Sequence, residues 1–164
     1  MLNKVLLALH SYLTTYLELE PPQKPAKLKE WWEDNLPTST EEIEGGLVYA
    51  LLQERFPDAE LFISDRRYNL ANYNDIALFI AQDETNKMGY VPDKRDCDDF
   101  SYRLMGQFSV PGWSALTFGI IWTPTHAFNI MITEDLEIWF VEPQTDVLTK
   151  EPESDVEPPR MIIM

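Results

Sequence analysis

At 164 residues the chain has the length of one ordinary domain, and its net charge of −15 sets 28 acidic residues against 13 basic ones. That balance argues against a surface that tracks phosphates, so no nucleic-acid partner is expected. Solubility is the ordinary use of such charge; the rival use is an acidic, phage-type interaction protein that imitates DNA or blocks a partner. The single cysteine excludes an internal disulfide and a CxxC metal site, while five Trp, seven Tyr and eight Phe can build a core without either.

Leu2, Leu6, Leu9, Leu13, Tyr16 and Leu17 recur at helical spacing, which predicts an amphipathic helix to about Glu20, ended by Pro21, Pro22 and Pro25. Its apolar opening, Val5–Leu9, turns polar at His10, Ser11 and Thr14 without a small-residue cleavage site. Neither a signal peptide nor a membrane span is expected, and the expected compartment is the cytoplasm. His10 is assigned to the surface or the core edge. Lys27–Leu36, with Trp31 and Trp32, predicts a short second helix stopped by Pro37. Ser39-Thr40-Glu41-Glu42 has the capping-box pattern. The helix it opens puts Ile43, Leu47, Ala50 and Leu51 on one face and ends before Pro57, with Gly45 and Gly46 weakening it.

Leu61–Ser64 predicts a short strand. Asn74 is the expected cap of a helix to about Glu84, with Ile76, Phe79 and Ile80 inward. Tyr90–Asp96 reads as a loop. From Cys97 the spacing of Phe100, Leu104 and Phe108 predicts another helix, closed by the Pro111-Gly112 turn. The last third alternates as strands do: Leu116, Phe118, Ile120 and Trp122, then His126–Thr133 and Leu136–Glu142 as a hairpin. Glu151–Pro159 is acidic and Pro-rich, a loop or loose tail, and Met161–Met164 is expected to return as an edge strand. Helices followed by an antiparallel sheet make the fold class α+β. The expected organisation is one domain over residues 1–164, with a helical part at 1–60, a catalytic core at 61–148 and an acidic tail at 149–164.

Cys97 stands at a loop-to-helix junction, where free N–H groups favour a thiolate and can bind an oxyanion. A nucleophile there needs a base and an orienter from elsewhere in the fold. The hairpin offers both. Phe128, Ile130 and Ile132 share one face of the first strand, and Leu136, Ile138 and Phe140 one face of the second. Both sets face one core only if the loop holds an odd number of residues. The expected loop is Thr133-Glu134-Asp135, which pairs Ile132 with Leu136, Ile130 with Ile138, Phe128 with Phe140 and, next outward, His126 with Glu142. An ordinary ion pair at a strand edge is the alternative use of those two residues. For the oxyanion hole, the Cys97 N–H is joined by three candidate side chains, Gln144, Gln82 and Asn86.

Asp96-Cys97-Asp98-Asp99-Phe100-Ser101, His126-Ala127-Phe128-Asn129 and Val141-Glu142-Pro143-Gln144 resemble a group of papain-like cysteine peptidases. Its best-known member is the C-terminal domain of a fungal galactose-binding agglutinin, and it has relatives among prophage proteins. Asp83-Glu84-Thr85-Asn86 and Tyr90 are similar to that group too, so the resemblance runs from about Leu61 to Leu148. It implies a papain-like or transglutaminase-like fold, a triad of Cys97, His126 and Glu142, a peptide or protein substrate, no organic cofactor, and calcium dependence. No added sugar-binding module is read in the chain. Asp93, Asp96, Asp98 and Asp99 crowd Cys97 and oppose its thiolate. Two explanations stand: Asp98 and Asp99 cap and charge the first helical turn, or some of the four hold a hard cation such as calcium.

Overall fold

The computed structural model describes residues 30–151 and 158–164. The helix expected up to Glu20, His10 and most of the acidic tail lie outside the described residues. All of the described residues but Glu30 belong to one compact unit, Trp31–Met164.

Helix α1 (Trp31–Asp34) is a single turn within the expected second helix. Trp31 meets the Phe79 ring edge-on and Trp32 stacks on it, and Trp113 donates its indole N–H to the Asn35 carbonyl at 3.1 Å. The buried Asp75 carboxylate accepts from the Thr38 N–H at 2.6 Å and its hydroxyl at 2.9 Å, tying this segment down.

The expected capping box at Ser39 does not open a helix. Glu42–Glu44 is strand β1, and helix α2 begins only at Gly45 and runs to Arg55. The glycine sets that start: a Cβ on Gly45 would lie 2.3 Å from the Asp65 carbonyl oxygen, so only glycine brings the chain this close. Moving the start turns the helix. Val48 and Leu52 are buried, whereas Leu47, expected inward, is 60% exposed.

Strands β2 (Glu60–Phe62) and β3 (Arg67–Asn69) follow, and β3 pairs antiparallel with β1 in a two-stranded sheet. Helix α3 (Tyr73–Gln82) is capped by Asn72 rather than Asn74, its side-chain oxygen accepting from the N–H groups of Asn74 and Asp75. Ile76, Phe79 and Ile80 point inward as expected. Helix α4 (Cys97–Phe108) buries Phe100, Ser101, Leu104 and Phe108.

The main sheet has six strands in the order β2-β8-β4-β5-β6-β7, where β4 is Phe118–Trp122, β5 Ala127–Ile132, β6 Ile138–Glu142, β7 Val147–Thr149 and β8 Met161–Ile163. The class is therefore α+β with a mostly antiparallel sheet; only β2 and β8 run parallel. The terminal strand is not at an edge. It lies between β2 and β4, with Ile162 fully buried and the Tyr68 hydroxyl donating to the Met164 carbonyl at 2.9 Å. Gly119 permits the approach, because a Cβ there would sit 2.2 Å from the Ile163 carbonyl oxygen.

Every residue of β4 and β5 is buried because the sheet is covered on both faces. On one face Phe128, Ile130, Ile132 and Phe140 pack with Val48 and Leu52 of α2. On the other, Phe118, Met131 and Val141 pack with Ile76, Phe79 and Leu104 of α3 and α4.

The β5–β6 loop is odd in length, as face-sharing requires, but it holds five residues, Thr133–Glu137, rather than three. Ile132 faces Ile138 and Ile130 faces Phe140, a register two residues from the expected one. Leu136, with φ of 60° and half exposed, is drawn into the turn, whose frame is Thr133 N–H to Glu137 carbonyl at 3.0 Å and Leu136 N–H to Thr133 carbonyl at 2.8 Å. A slip of two keeps every side chain on its face.

Candidate functional site

The start of α4, the turn into β5 and the end of β6 carry the residues singled out in the sequence. At α4 a reciprocal capping box holds the first turn: the Asp96 side chain accepts from the N3 backbone, and Asp99 accepts from the Asp96 N–H at 3.2 Å. Cys97 is the first helical residue and its thiol is half-buried. It packs against the cluster of Ile120, Trp122 and Ala127.

His126 ends a tight turn. The Thr123 hydroxyl accepts from the His126 N–H at 2.9 Å, and the Thr123 N–H donates to the His126 carbonyl at 2.8 Å. Across the hairpin His126 Nε2 and Glu142 Oε2 are 2.7 Å apart, with side chains 30% and 29% exposed. A carboxylate only accepts, so in neutral imidazole the hydrogen sits on Nε2 and the Nδ1 lone pair is left free. The ring stacks on Phe128 at 5.5 Å, and the other Glu142 oxygen accepts from the Gln144 N–H at 3.2 Å.

The pair therefore belongs to the Phe128 row of the sheet, whereas Cys97 packs on the Ala127 row. Among the described residues no hydrogen bond joins the Cys97 thiol to His126. Among the described residues no hydrogen bond joins any of the three expected oxyanion donors to Cys97. Gln82 is exposed at the end of α3, Asn86 donates to Asp146, and the Gln144 side chain bonds nothing described.

Of the four aspartates expected around Cys97, Asp96, Asp98 and Asp99 bring carboxylate oxygens within 4.8 Å of one another. Asp93 contributes only its backbone N–H, to Asp96 at 3.0 Å. The hydrogen bond with Asp96, burial, and the charges of Asp96 and Asp99 raise the Asp98 carboxyl above its ordinary range. The capping box is made by Asp96 and Asp99, so of the two residues expected to cap the turn Asp99 takes part, while Asp98 only adds charge to it.

Asn129 enters the sequence reading only as part of the His126 motif, with no role of its own. Buried on the Ala127 row, it donates to the Ser101 carbonyl of α4 at 3.1 Å and the Gly119 carbonyl of β4 at 3.0 Å. The Ser101 hydroxyl in turn donates to the Cys97 carbonyl at 2.8 Å. This chain of bonds fixes the first turns of α4 to the sheet. An amide inside the run Ala127–Ile132, otherwise apolar, was the available signal.

No family model and no curated protein matches the sequence. Solved structures do. One, a PSL1a–E64 complex, superposes with a TM-score of 0.65 and 20% identity, over 75% of this chain and 50% of that one. Another is the Polyporus squamosus lectin bound to the human-type influenza-binding epitope Neu5Aca2-6Galb1-4GlcNAc, with a TM-score of 0.61, 18% identity, and 75% and 49% coverage. The chain thus spans about half the length of the solved chains it matches.

These neighbours correct the expected activity. The α+β fold is similar to that of a fungal lectin solved with a glycan epitope. The expectation of a papain-like cysteine peptidase related to prophage proteins is withdrawn. The His126–Glu142 contact is present, but among the described residues no hydrogen bond ties the imidazole to the Cys97 thiol. The ligand named for the neighbour is a glycan epitope, not a peptide. As to location, no helix among the described residues is long and apolar enough to cross a membrane.

Proposed function

We propose that this chain is a ligand-binding module of lectin type, taking a carbohydrate at the rim where His126 and Glu142 stand. The observation that carries the reading is the likeness to a lectin solved with a sialylated epitope. The rim supplies suitable chemistry. A sugar offers vicinal hydroxyls; a half-exposed carboxylate accepts from them, and imidazole donates or accepts beside it. Titration calorimetry with Neu5Aca2-6Galb1-4GlcNAc and with its unsialylated Galb1-4GlcNAc part tests the proposal. Saturable binding that weakens at least about tenfold in Glu142→Gln and His126→Ala supports it. No saturable heat with either glycan refutes it.

A second reading concerns Cys97, and the neighbour's complex with E64 favours it. Here Cys97, His126 and Glu142 act as one thiol site, the finer arrangement implied by the resemblance to the papain-like domain of a fungal agglutinin. Glu142 holds the hydrogen on Nε2, and Nδ1 receives the thiol proton when the imidazole turns toward it. The thiolate is then open to capture by an electrophilic ligand. Incubation of the folded chain with E64 is the test. A mass adduct at Cys97 that forms more slowly in His126→Ala supports this reading, and an unmodified Cys97 in the folded protein refutes it.

A further inference from the structure

An open cleft of about 470 Å³ lies on the outer side of α4, lined by Met88, Val91, Lys94, Arg95, Asp99 and Arg103. Three cations meet there in a chain that has only 13, against 28 acidic residues. A surface patch drawn at random from this composition would be anionic.

Local structure explains the gathering. On α4, Phe100 and Leu104 face the core, so Asp99 and Arg103, one turn apart, share the exposed side. Opposite them the segment Val91–Arg95 closes on itself, each end donating its N–H to the other's carbonyl at 2.9 Å, with Asp93 at φ of 57° in the bend. Arg95 is held further by its Nε, which donates to the Gly89 carbonyl at 2.5 Å. Lys94 and Arg95 are thereby aimed at the same space as Arg103.

No ion pair among the described residues neutralises these charges, although Asp99 lines the cleft and its carboxylate cluster with Asp96 and Asp98 adjoins it. Among the described residues, the Lys and Arg side chains in ion pairs are those of Arg55, Arg67, Lys87 and Lys150. Lys94, Arg95 and Arg103 make none. The one carboxylate in the cleft, Asp99, has an oxygen committed to the Asp96 N–H. Two guanidinium groups and an ammonium beside the apolar Met88 and Val91 form a receptor for a planar or tetrahedral oxyanion, since arginine donates in a fork matched to such groups.

We propose that this cleft is an oxyanion-binding subsite, separate from the His126–Glu142 rim, taking the carboxylate, sulfate or phosphate of a small ligand. Arg103 and Lys94 are the principal donors. The rest of the molecule selects for size. A net charge of −15 repels a long polyanion, whereas one acidic group inside the cleft lies within a Debye length, about 8–10 Å, of the three cations.

The test is NMR titration of the ¹⁵N-labelled full chain with sodium sulfate in one arm and N-acetylneuraminate in the other, at constant ionic strength balanced with chloride. Saturable shifts confined to the segment Met88–Arg103 are expected in at least one arm. Arg103→Gln and Lys94→Gln should each weaken them about three- to tenfold, and the double variant should abolish them. The tighter arm identifies the source as inorganic oxyanion or organic carboxylate. Arg103→Lys keeps the charge but not the fork, and an intermediate affinity is expected of it. All these side chains are exposed, so an unchanged melting temperature verifies folding. The absence of saturable shifts in both arms, or shifts that persist in the folded double variant, overturns the proposal.

Discussion

Gly119→Ala is expected to be among the most damaging single-methyl changes in this protein. The added Cβ would meet the Ile163 carbonyl oxygen at 2.2 Å, whereas ordinary contact begins near 3.4 Å, so β8 must retreat from β4 by about 1.2 Å. A retreat of that size breaks the hydrogen bonds of a three-residue ladder, Ile120 with Ile163, Ile121 with Ile162 and Trp122 with Met161. It also loosens two buried side chains, Ile162 and Met164. Lost ladder bonds at about 1 kcal/mol each and partial exposure of the two apolar groups together cost about 3–5 kcal/mol. That is a large share of the ~5–15 kcal/mol that holds a domain together. Urea unfolding of the full chain reads the loss as a lower midpoint. Gly106→Ala is the control: it lies inside α4 with nothing within 4 Å of the new methyl, and should stabilise by about 0.5–1 kcal/mol. A Gly119→Ala cost below about 1 kcal/mol would refute the close-packed account of the sheet centre.

Asn129→Leu removes both bonds that tie α4 to the sheet, and a loss of about 2–3 kcal/mol is expected, with faster amide hydrogen exchange in the first turns of α4. If exchange there is unchanged, the tether is not what holds that helix. Burial pushes the Asp146 carboxyl up, the charge of Asp83 adds to this, and Lys87 opposes it. A carboxyl raised in the folded state favours folding when protonated, so its penalty is present at neutral pH and vanishes as pH falls through the raised value. Asp146→Asn should therefore raise the melting temperature at pH 7 and lose that advantage in acid; asparagine also suits the φ of 60° at this position. An advantage that grows in acid would reverse the assignment. Asp98→Asn should behave likewise, because Asp96 and Asp99 crowd that carboxyl. Calcium binding at this cluster is a proposal with its own readout: added calcium should raise the melting temperature of the parent chain and not of Asp98→Asn, and an equal response in both refutes it.

The elements that were legible in the sequence are those whose signal is local. Phe100, Leu104 and Phe108 define α4 by spacing, and the Asp96–Asp99 box starts it at the expected residue. Parity did as well for the hairpin: His126 and Glu142 share a face even though the register is two residues off, because an odd loop of either length preserves the face. What failed depended on distant parts of the chain. The β1–α2 boundary is set by Asp65 against Gly45, and the central place of β8 by Ile163 against Gly119, contacts that no window around either residue contains. The placement of the three expected site residues was hidden in the same way. The order of Cys97, His126 and Glu142 along the chain does not say which row of the sheet each will join. Asn129, which faces α4, settles that the row next to the helix is that of Ala127.

The strand order has a consequence for how the chain reaches this state. Strands β4 to β7 are joined by short turns and can assemble from neighbours alone, but β8 must close a loop of about a hundred residues to lie beside β2, as the pairing of Glu60 with Met161 requires. Until it does, β4 offers an unpaired edge, and that edge is Phe118-Gly119-Ile120-Ile121-Trp122. Five uncharged residues, four of them large and apolar, make a sticky template for a second copy. The rate at which the last strand inserts thus governs the competition between native folding and aggregation, and variants that slow insertion should be lost to inclusion bodies before they are lost to unfolding.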